Sequence, residues 1–297
     1  MKKILIIGAN GFTGRRILND LSGKPNSYHI IGSSLRNDIS PANTHTFIQA
    51  DIRKEQEVEN LFQTVKPDVV INTSALSVPD YCENHHDEAW ETNVTAVEHL
   101  ARQCEKWNSK LIHLSTDFVF SGNTRSLYTE EDMPNPVNYY GITKWEGEKR
   151  VAAICSNYAI VRVVVVYGKA LPGQHGNILQ LVANRLRANE PIRVVSDQWR
   201  TPTFVGDISV GVEKLITHTN NGIYHISGKE CYSIAEIAFR VADFLELDRS
   251  LIHPVSTMEM NEATPRPQFS GLSIGKAQKE LNYAPLTLEE GMKEMFR

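Results

Sequence analysis

Short runs of apolar residues alternate along this chain with longer stretches in which apolar positions recur every three or four residues. The first kind reads as buried strand, the second as amphipathic helix. KILIIGA (3–9) predicts a strand, and FTGRRILNDLS behind it a helix. YHIIGS (28–33) and THTFIQAD (44–51) predict two more strands. KEQEVENLFQTV (54–65) predicts a helix ending before Pro67, and DVVINTSA (68–75) a buried strand. NHHDEAWETNVTAVEHLARQCEKW (84–107) predicts one long helix, KLIHLSTDFVF (110–120) a strand, and residues 140–155 a helix. AIVRVVVVYG (159–168) is so uniformly β-branched that it reads as one strand buried on both faces. Strands alternating with helices of this length predict an α/β fold with a doubly wound, parallel Rossmann-type sheet.

After Gly168 the rhythm breaks. GKALPGQHGN (168–177) reads as loop, ILQLVANRLRANE as helix, and shorter pieces rich in Pro and Thr follow. Residues 1–168 and 201–228 are therefore assigned to the Rossmann domain, and 169–200 and 229–297 to a smaller α/β domain. IYHISG (223–228) is placed as a return to the main sheet.

Composition narrows the function classes. The 297 residues are 41% apolar and 22% charged, the balance of an ordinary globular protein. A net charge of −4 argues against a nucleic-acid binder, which normally carries a basic excess. Ile4 to Ile7 is too short an apolar run for a signal peptide or a membrane span. Cys82, Cys104, Cys155 and Cys231 are widely spaced, which favours reduced thiols in a cytoplasmic protein over a disulfide frame or zinc site. His85 and His86 sit in a polar stretch and read as surface, so no metal site is expected.

The first strand runs into Gly8-Ala-Asn10-Gly11-Phe12-Thr13-Gly14. Glycines there allow a tight turn and close approach to a pyrophosphate, and the following helix offers N–H groups and a positive dipole end. The spacing is one residue longer at its first step than the usual dinucleotide fingerprint. An acidic residue closing the second strand would favour NAD. This chain has Ser33, Ser34 and Arg36 instead, with no carboxylate before Asp38, which favours the 2′-phosphate of NADPH over NADH. Arg15 and Arg16 are additional candidates for that phosphate.

Tyr140 and Lys144 are one helical turn apart and share a face. Thr116 closes the strand ahead of them, at the end of a sheet where ligands bind. A nearby ammonium stabilises a phenolate, so Tyr140 is positioned to exchange a proton with a carbonyl group. Lys144 would also hold the nicotinamide ribose, and Thr116 the same carbonyl.

These features, with ADI (50–52), INTSA (71–75), Asn93 in TNVTAVEHLA, STDFVF, YYGITKWEGE and RVVVVYG, resemble the extended short-chain dehydrogenase/reductases, in that family's order. STDFVFSG, YTEEDMPNPVNYYGITKWEGE, DQWRTPT (197–203) and RPQFSGLSIGKAQKEL (266–281) resemble its dTDP-4-dehydrorhamnose reductase branch. The resemblance implies a catalytic triad of Thr116, Tyr140 and Lys144. It also implies Asp51 and Ile52 beside adenine, Ser74, Ala75 and Asn93 along the cofactor, and a nucleotide-sugar substrate in the second domain. Two departures stand out: Val165 occupies the usual tryptophan position, and Phe12-Thr13 replaces the usual Q-L of the cradle. Phe118 stands where a dehydratase would need a second acid, so simple carbonyl reduction is the expected chemistry.

For the substrate, Phe118 is a candidate to flank the sugar, or to pack under the second domain. Arg200 and Arg266 are candidates for a diphosphate, Arg266 in a loop between two prolines. Asn177 is placed either on substrate or as a helix cap. Two other readings remain open at this level: a reductase or epimerase of another nucleotide-sugar, and a non-catalytic NADP-binding regulatory subunit. A homodimer through the helices of 84–107 and 140–155 is the expected mode of association.

Overall fold

Four consecutive apolar residues, Ile4 to Ile7, form the buried part of the first strand, β1 (Lys2–Ile7). Alternate residues face opposite ways along a strand, so a run with no polar member needs cover on both sides. The computed structural model describes residues 1–39, 45–170, 174 and 176–297, and it supplies that cover. Ile4 and Ile6 pack with one set of helices, Leu5 and Ile7 with another.

The elements follow in the order α1 (Phe12–Ser22), β2 (Tyr28–Ser34), β3 (Thr46–Gln49), α2 (Glu55–Val65) and β4 (Val69–Asn72). Next come α3 (Pro79–Asn84), α4 (His86–Trp90), α5 (Ala96–Lys106), β5 (Lys110–Thr116), α6 (Tyr139–Ile154), β6 (Tyr158–Val163) and β7 (Val166–Tyr167). The remainder begins with α7 (Ile178–Arg187), β8 (Ile192–Val195), β9 (Trp199–Arg200), β10 (Thr203–Phe204), α8 (Val205–Thr217) and β11 (Gly222–His225). It ends with β12 (Tyr232–Ser233), α9 (Ile234–Phe244), β13 (Ile252–Val255), α10 (Thr257–Met260), α11 (Gly275–Leu281) and α12 (Leu288–Phe296).

Among the described residues seven strands form one sheet in the order β11-β6-β5-β4-β1-β2-β3. Every pairing in it is parallel. The order reverses between β1 and β4, and ligands bind at the carboxyl ends of strands beside such a switch point. Helices α1, α8 and α11 cover one face through Leu18, Val212 and Ala277. Helices α2 and α5 and the end of α6 cover the other through Phe62, Leu100 and Val151.

The smaller unit packs α7, α9 and α12 around Leu179, Ile237 and Met292, with the parallel pair β8–β13. As expected, 222–225 rejoins the main sheet. Residues 274–283 depart from the assignment above: Ile274, Ala277, Leu281 and Tyr283 lie in the core of the large sheet. A short amphipathic segment does not announce which of two cores it enters.

Three elements differ from the periodicity reading. The helix expected at 84–107 is segmented, with a π-turn over Glu91–Thr95 between α4 and α5. The strand expected at 110–120 stops at Thr116 and tightens into a 3-10 turn, capped by the Thr116 hydroxyl. The strand expected at 159–168 breaks between β6 and β7, where Val165 adopts φ +36°. A β-branched residue rarely takes a left-handed backbone, at a cost of about 1–3 kcal/mol. Its carbonyl accepts from Thr203 N at 3.1 Å, so β10 holds the break open. The strand expected from 44 and the loop expected over 168–177 fall partly on 44, 171–173 and 175, outside the described residues.

Candidate active site

The loop after β1 is shaped by glycine. Gly8 has φ +78°, and a Cβ there would stand 2.7 Å from Thr73 Oγ1. A Cβ on Gly14 would stand 2.3 Å from Gly8 O, so α1 rests directly on the turn. Its N-cap is Gly11, which supplies no capping side chain, and the first N–H groups of the helix are left open. Asn10, Gly11, Phe12, Thr13 and Gly14 line a cleft of about 800 Å³ that runs on to Thr116, Tyr140 and Lys144 and into the second unit. Gln174 reaches back across it, donating to Asn10 O at 3.0 Å.

The N-terminus of α6 sets the tyrosine. Asn138 caps the helix by accepting from Gly141 N at 2.9 Å, and donates to Pro265 O of the second unit at 2.8 Å. Tyr140 follows two residues later, with its ring edge-on to Phe118 at 5.6 Å. Burial raises its pKa, which a hydrogen bond with Thr116 opposes and the nearby Asp117 charge reinforces. Loss of water around the ring outweighs the neighbouring groups, so the protonated phenol is favoured here. A protonated phenol is the form that can give a proton away.

Lys144 lies one turn on, 2% exposed. Its Nζ donates to Leu114 O at 2.8 Å. Burial lowers its pKa to about 8, opposed by the Glu148 carboxylate. Glu148 itself is buried against Arg162 of β6, with bonds of 2.9 and 2.6 Å.

Of the residues named from sequence, Ala75, Phe118, Asn177, Arg200 and Arg266 also line the cleft. Gly8, Ser33, Ser34, Arg36, Asp51, Ile52, Ser74 and Asn93 are outside its lining. Ser33 carries the turn on its carbonyl, which accepts from Gly8 N and Ala9 N, while its buried hydroxyl has no partner among the described residues. The Ser34 hydroxyl accepts from Asn10 N at 3.0 Å. Arg36 is exposed, and its carbonyl accepts from Asn10 Nδ2. Arg15 is buried on Asn10 and Asp38, and Arg16 pairs with Asp20. Asp51 is held by Arg53 at 2.8 Å, which keeps its carboxyl below the usual range. Ile52 offers its carbonyl to His99, and Ser74 N donates to Asn72.

Asn93 is spent inside the protein: it bonds Leu76 N, Leu76 O and Thr143 Oγ1 at 2.9–3.0 Å. Thr143 in turn donates to Tyr140 O, so Asn93 braces α6 from behind. Asn177 caps α7 through its oxygen and donates to Gly168 O through its nitrogen. Arg200 is also committed. It donates to Trp199 O, Gln268 O, Pro267 O and Gln198 Oε1, and its Nε stands 3.7 Å from Asp117. Arg266 bridges Asp80 at 3.1 Å and Glu262 at 2.9 Å. Gln198 and Glu262 line the cleft and were not singled out in the sequence, where nothing separates them from surface polar residues.

Among the described residues no His, Cys, Asp or Glu cluster can hold a metal ion, and no helix is long and apolar enough to cross a membrane. All four cysteines are free thiols.

A family model described as RmlD substrate binding domain matches residues 1–297. The chain belongs to that family. Its resemblance to the extended dehydrogenase/reductases, closest to the dTDP-4-dehydrorhamnose reductases, is borne out by solved structures. One is a dTDP-4-dehydrorhamnose reductase from Bacillus anthracis str. Ames in complex with NADP, at TM-score 0.89 and 28% identity, over 99% of this chain and 98% of that one. Another, a dTDP-4-dehydrorhamnose reductase from Clostridium acetobutylicum ATCC 824, has TM-score 0.88 and 31% identity over 99% and 98%. The chain is also similar to the methionine adenosyltransferase 2 subunit beta of Xenopus tropicalis, 33% identical over 94% of this chain and 82% of that protein.

Proposed function

We propose that this protein is an NADPH-dependent reductase of the 4-keto group of a 6-deoxy nucleotide-sugar, of the dTDP-4-dehydrorhamnose reductase type. The observation that carries the reading is the meeting of Thr116, Tyr140 and Lys144 in one cleft with an open glycine cradle. The cradle fits a dinucleotide, because Gly8 and Gly14 let the turn and α1 pack tightly together and Gly11 leaves the first N–H groups of α1 uncapped. The loop of Asn10–Gly14 and the N-terminus of α1 would hold the pyrophosphate. Ser34 and Arg36 would face the 2′-phosphate, Asp51 and Ile52 the adenine, and Ser74 and Ala75 the middle of the cofactor. When bound, the reduced nicotinamide supplies the hydride.

The chain's own residues do the rest. Thr116 orients the substrate carbonyl. Tyr140 Oη gives its proton to the carbonyl oxygen as the carbon is reduced, so a C–H and an O–H bond form and the C=O double bond becomes single. The resulting tyrosinate is stabilised by the Lys144 ammonium and is reprotonated from the cleft. Phe118, Asn177 and Arg266 would line the sugar-nucleotide, with Arg200 shaping that pocket from beneath. The rest of the proposal is a cytoplasmic protein, a substrate-binding role for 169–200 with 229–297, and a homodimer through the helices of 84–107 and 140–155.

The test is loss of NADPH absorbance with dTDP-4-dehydrorhamnose as substrate. Turnover that disappears in Tyr140→Phe supports the reading. A second reading, a non-catalytic NADP-binding subunit of another enzyme, rests on the 33% identity to methionine adenosyltransferase 2 subunit beta. NADPH binding without turnover on any keto-sugar would favour it.

A further inference from the structure

Behind Lys144, on the side away from the cleft, lies a buried polar chain that the proposed chemistry leaves unused. Asn72 ends β4 and pairs in register with His113 of β5, both fully buried. The backbone decides how Asn72 is turned. Ser74 N–H can only donate, so the Asn72 atom 3.0 Å from it is the carbonyl oxygen. The amide nitrogen of Asn72 then faces His113 Nδ1 at 3.1 Å. That nitrogen only donates, so Nδ1 presents its lone pair and a neutral ring carries its proton on Nε2. Nε2 lies 3.4 Å from Lys144 Nζ. The ammonium therefore meets a donor there, and its acceptor among the described residues is Leu114 O.

We propose that His113 is a positioning residue for Lys144: locked by Asn72 as the Nε2–H imidazole, it denies the ammonium a second anchor and turns two of its N–H bonds toward Tyr140 and the cleft. The inference deepens the role given to Lys144 above and rests on that reading. Burial, and then the Lys144 charge, hold the His113 pKa well below the ordinary histidine range, so a cationic ring does not compete. Helix α6 packs closely over the ring; a Cβ on Gly147 would stand 3.7 Å from His113 Nε2. The other ionisable groups around Lys144 are accounted for on each packed element. Tyr140 is protonated, Glu148 is paired with Arg162 of β6, Asp117 beyond β5 faces Arg200, and Cys82 of α3 is a thiol with a raised pKa.

Nitrogen NMR of the imidazoles in the full chain without cofactor reads the tautomer whether or not the protein turns over. His113 is expected to show a pyridine-like Nδ1 and a pyrrole-like Nε2 near neutral pH; the reverse pattern overturns the proposal. Asn72→Asp sets a carboxylate against Nδ1, draws the proton there and makes Nε2 an acceptor for Lys144. The Lys144 titration, followed at Nζ, should then rise by about one unit or more. The alkaline limb of kcat should move with it. A switched tautomer with an unmoved Lys144 titration refutes the idea. Should that variant fail to fold, His113→Gln offers Lys144 an oxygen and carries the same expectation. A protein inactive on every keto-sugar would count against the proposed function alone, since the tautomer reading and the Lys144 titration still decide this proposal.

Discussion

Replacing Tyr140 by Phe removes one oxygen and little else. The ring keeps its edge contact with Phe118 at 5.6 Å and its place beside Cys82, Ala89 and Leu76. The stability lost is at most that of a single neutral hydrogen bond, about 1 kcal/mol. The loss in rate is much larger, because the phenol is the group that must deliver the proton. Proton transfer by a positioned acid contributes about 10²–10⁴-fold, roughly 3–5 kcal/mol of barrier. The Thr116 hydroxyl does not replace it, since it donates to Asp117 at 3.1 Å. The assay pairs kcat for NADPH oxidation with cofactor affinity from fluorescence titration. The expected result is a fall in kcat by about two orders of magnitude or more, with affinity nearly unchanged. A variant that keeps more than about a tenth of the rate, or loses affinity as much as rate, refutes the role given to Tyr140.

Three further outcomes follow from particular contacts. Arg36→Ala should weaken NADPH by about tenfold or more while leaving NADH nearly unaffected, since charge-assisted bonds to a phosphate are worth about 1.5–3 kcal/mol; an unchanged ratio of affinities removes the 2′-phosphate assignment. Glu148→Ala strands the Arg162 guanidinium, whose side chain is 1% exposed, and should lower unfolding stability by about 3–5 kcal/mol in urea, with Glu148→Leu/Arg162→Met recovering most of it. Asp207 has its pKa raised from 3.8 to about 6 by burial, so its neutral form suits the fold, and the stability it confers below pH 4 is lost as pH rises through about 6. Asp207→Asn keeps an acceptor for Leu286 N and should match the parent near pH 4 but exceed it in urea midpoint above pH 6; equal midpoints throughout would show that the carboxylate is not penalised.

How much was legible from sequence depended on whether the signal was local. The cradle was legible because glycine at Gly8 and Gly14 answers a local backbone requirement, read directly in the φ of one and the clearance of the other. Tyr140 and Lys144 were legible because one helical turn places them on one face, whatever the helix packs against. The break at Val165 was not, because four valines in a row satisfy every strand criterion and only the bond to Thr203 interrupts them. Arg200 and Arg266 carried the right chemistry for a diphosphate. In the fold, one is occupied by carbonyls 67 and 68 residues further along, and the other by two carboxylates. Asn93 was expected along the cofactor, yet its side chain serves Thr143, 50 residues away. Partners that distant leave no trace in spacing.

Those distant partners also hold α6, which carries Tyr140 and Lys144, in place. The helix lies unusually close to its neighbours because it carries glycine where they touch it: a Cβ on Gly141 would stand 2.2 Å from Phe118 O, and one on Gly147 2.5 Å from Asn93 O. Its N-terminus is tied to the second unit through Asn138 and Pro265, next to Arg266, which reaches Asp80 at the start of α3. Its middle is braced by Asn93 through Thr143, and its lower turn by Glu148 on Arg162. Tyr140 and Lys144 therefore project from a helix fixed at three levels, on the side that faces the cleft. A phenol and an ammonium held this way need little reorganisation when a ligand arrives, and such preorganisation is the condition under which a proton donor contributes its full effect.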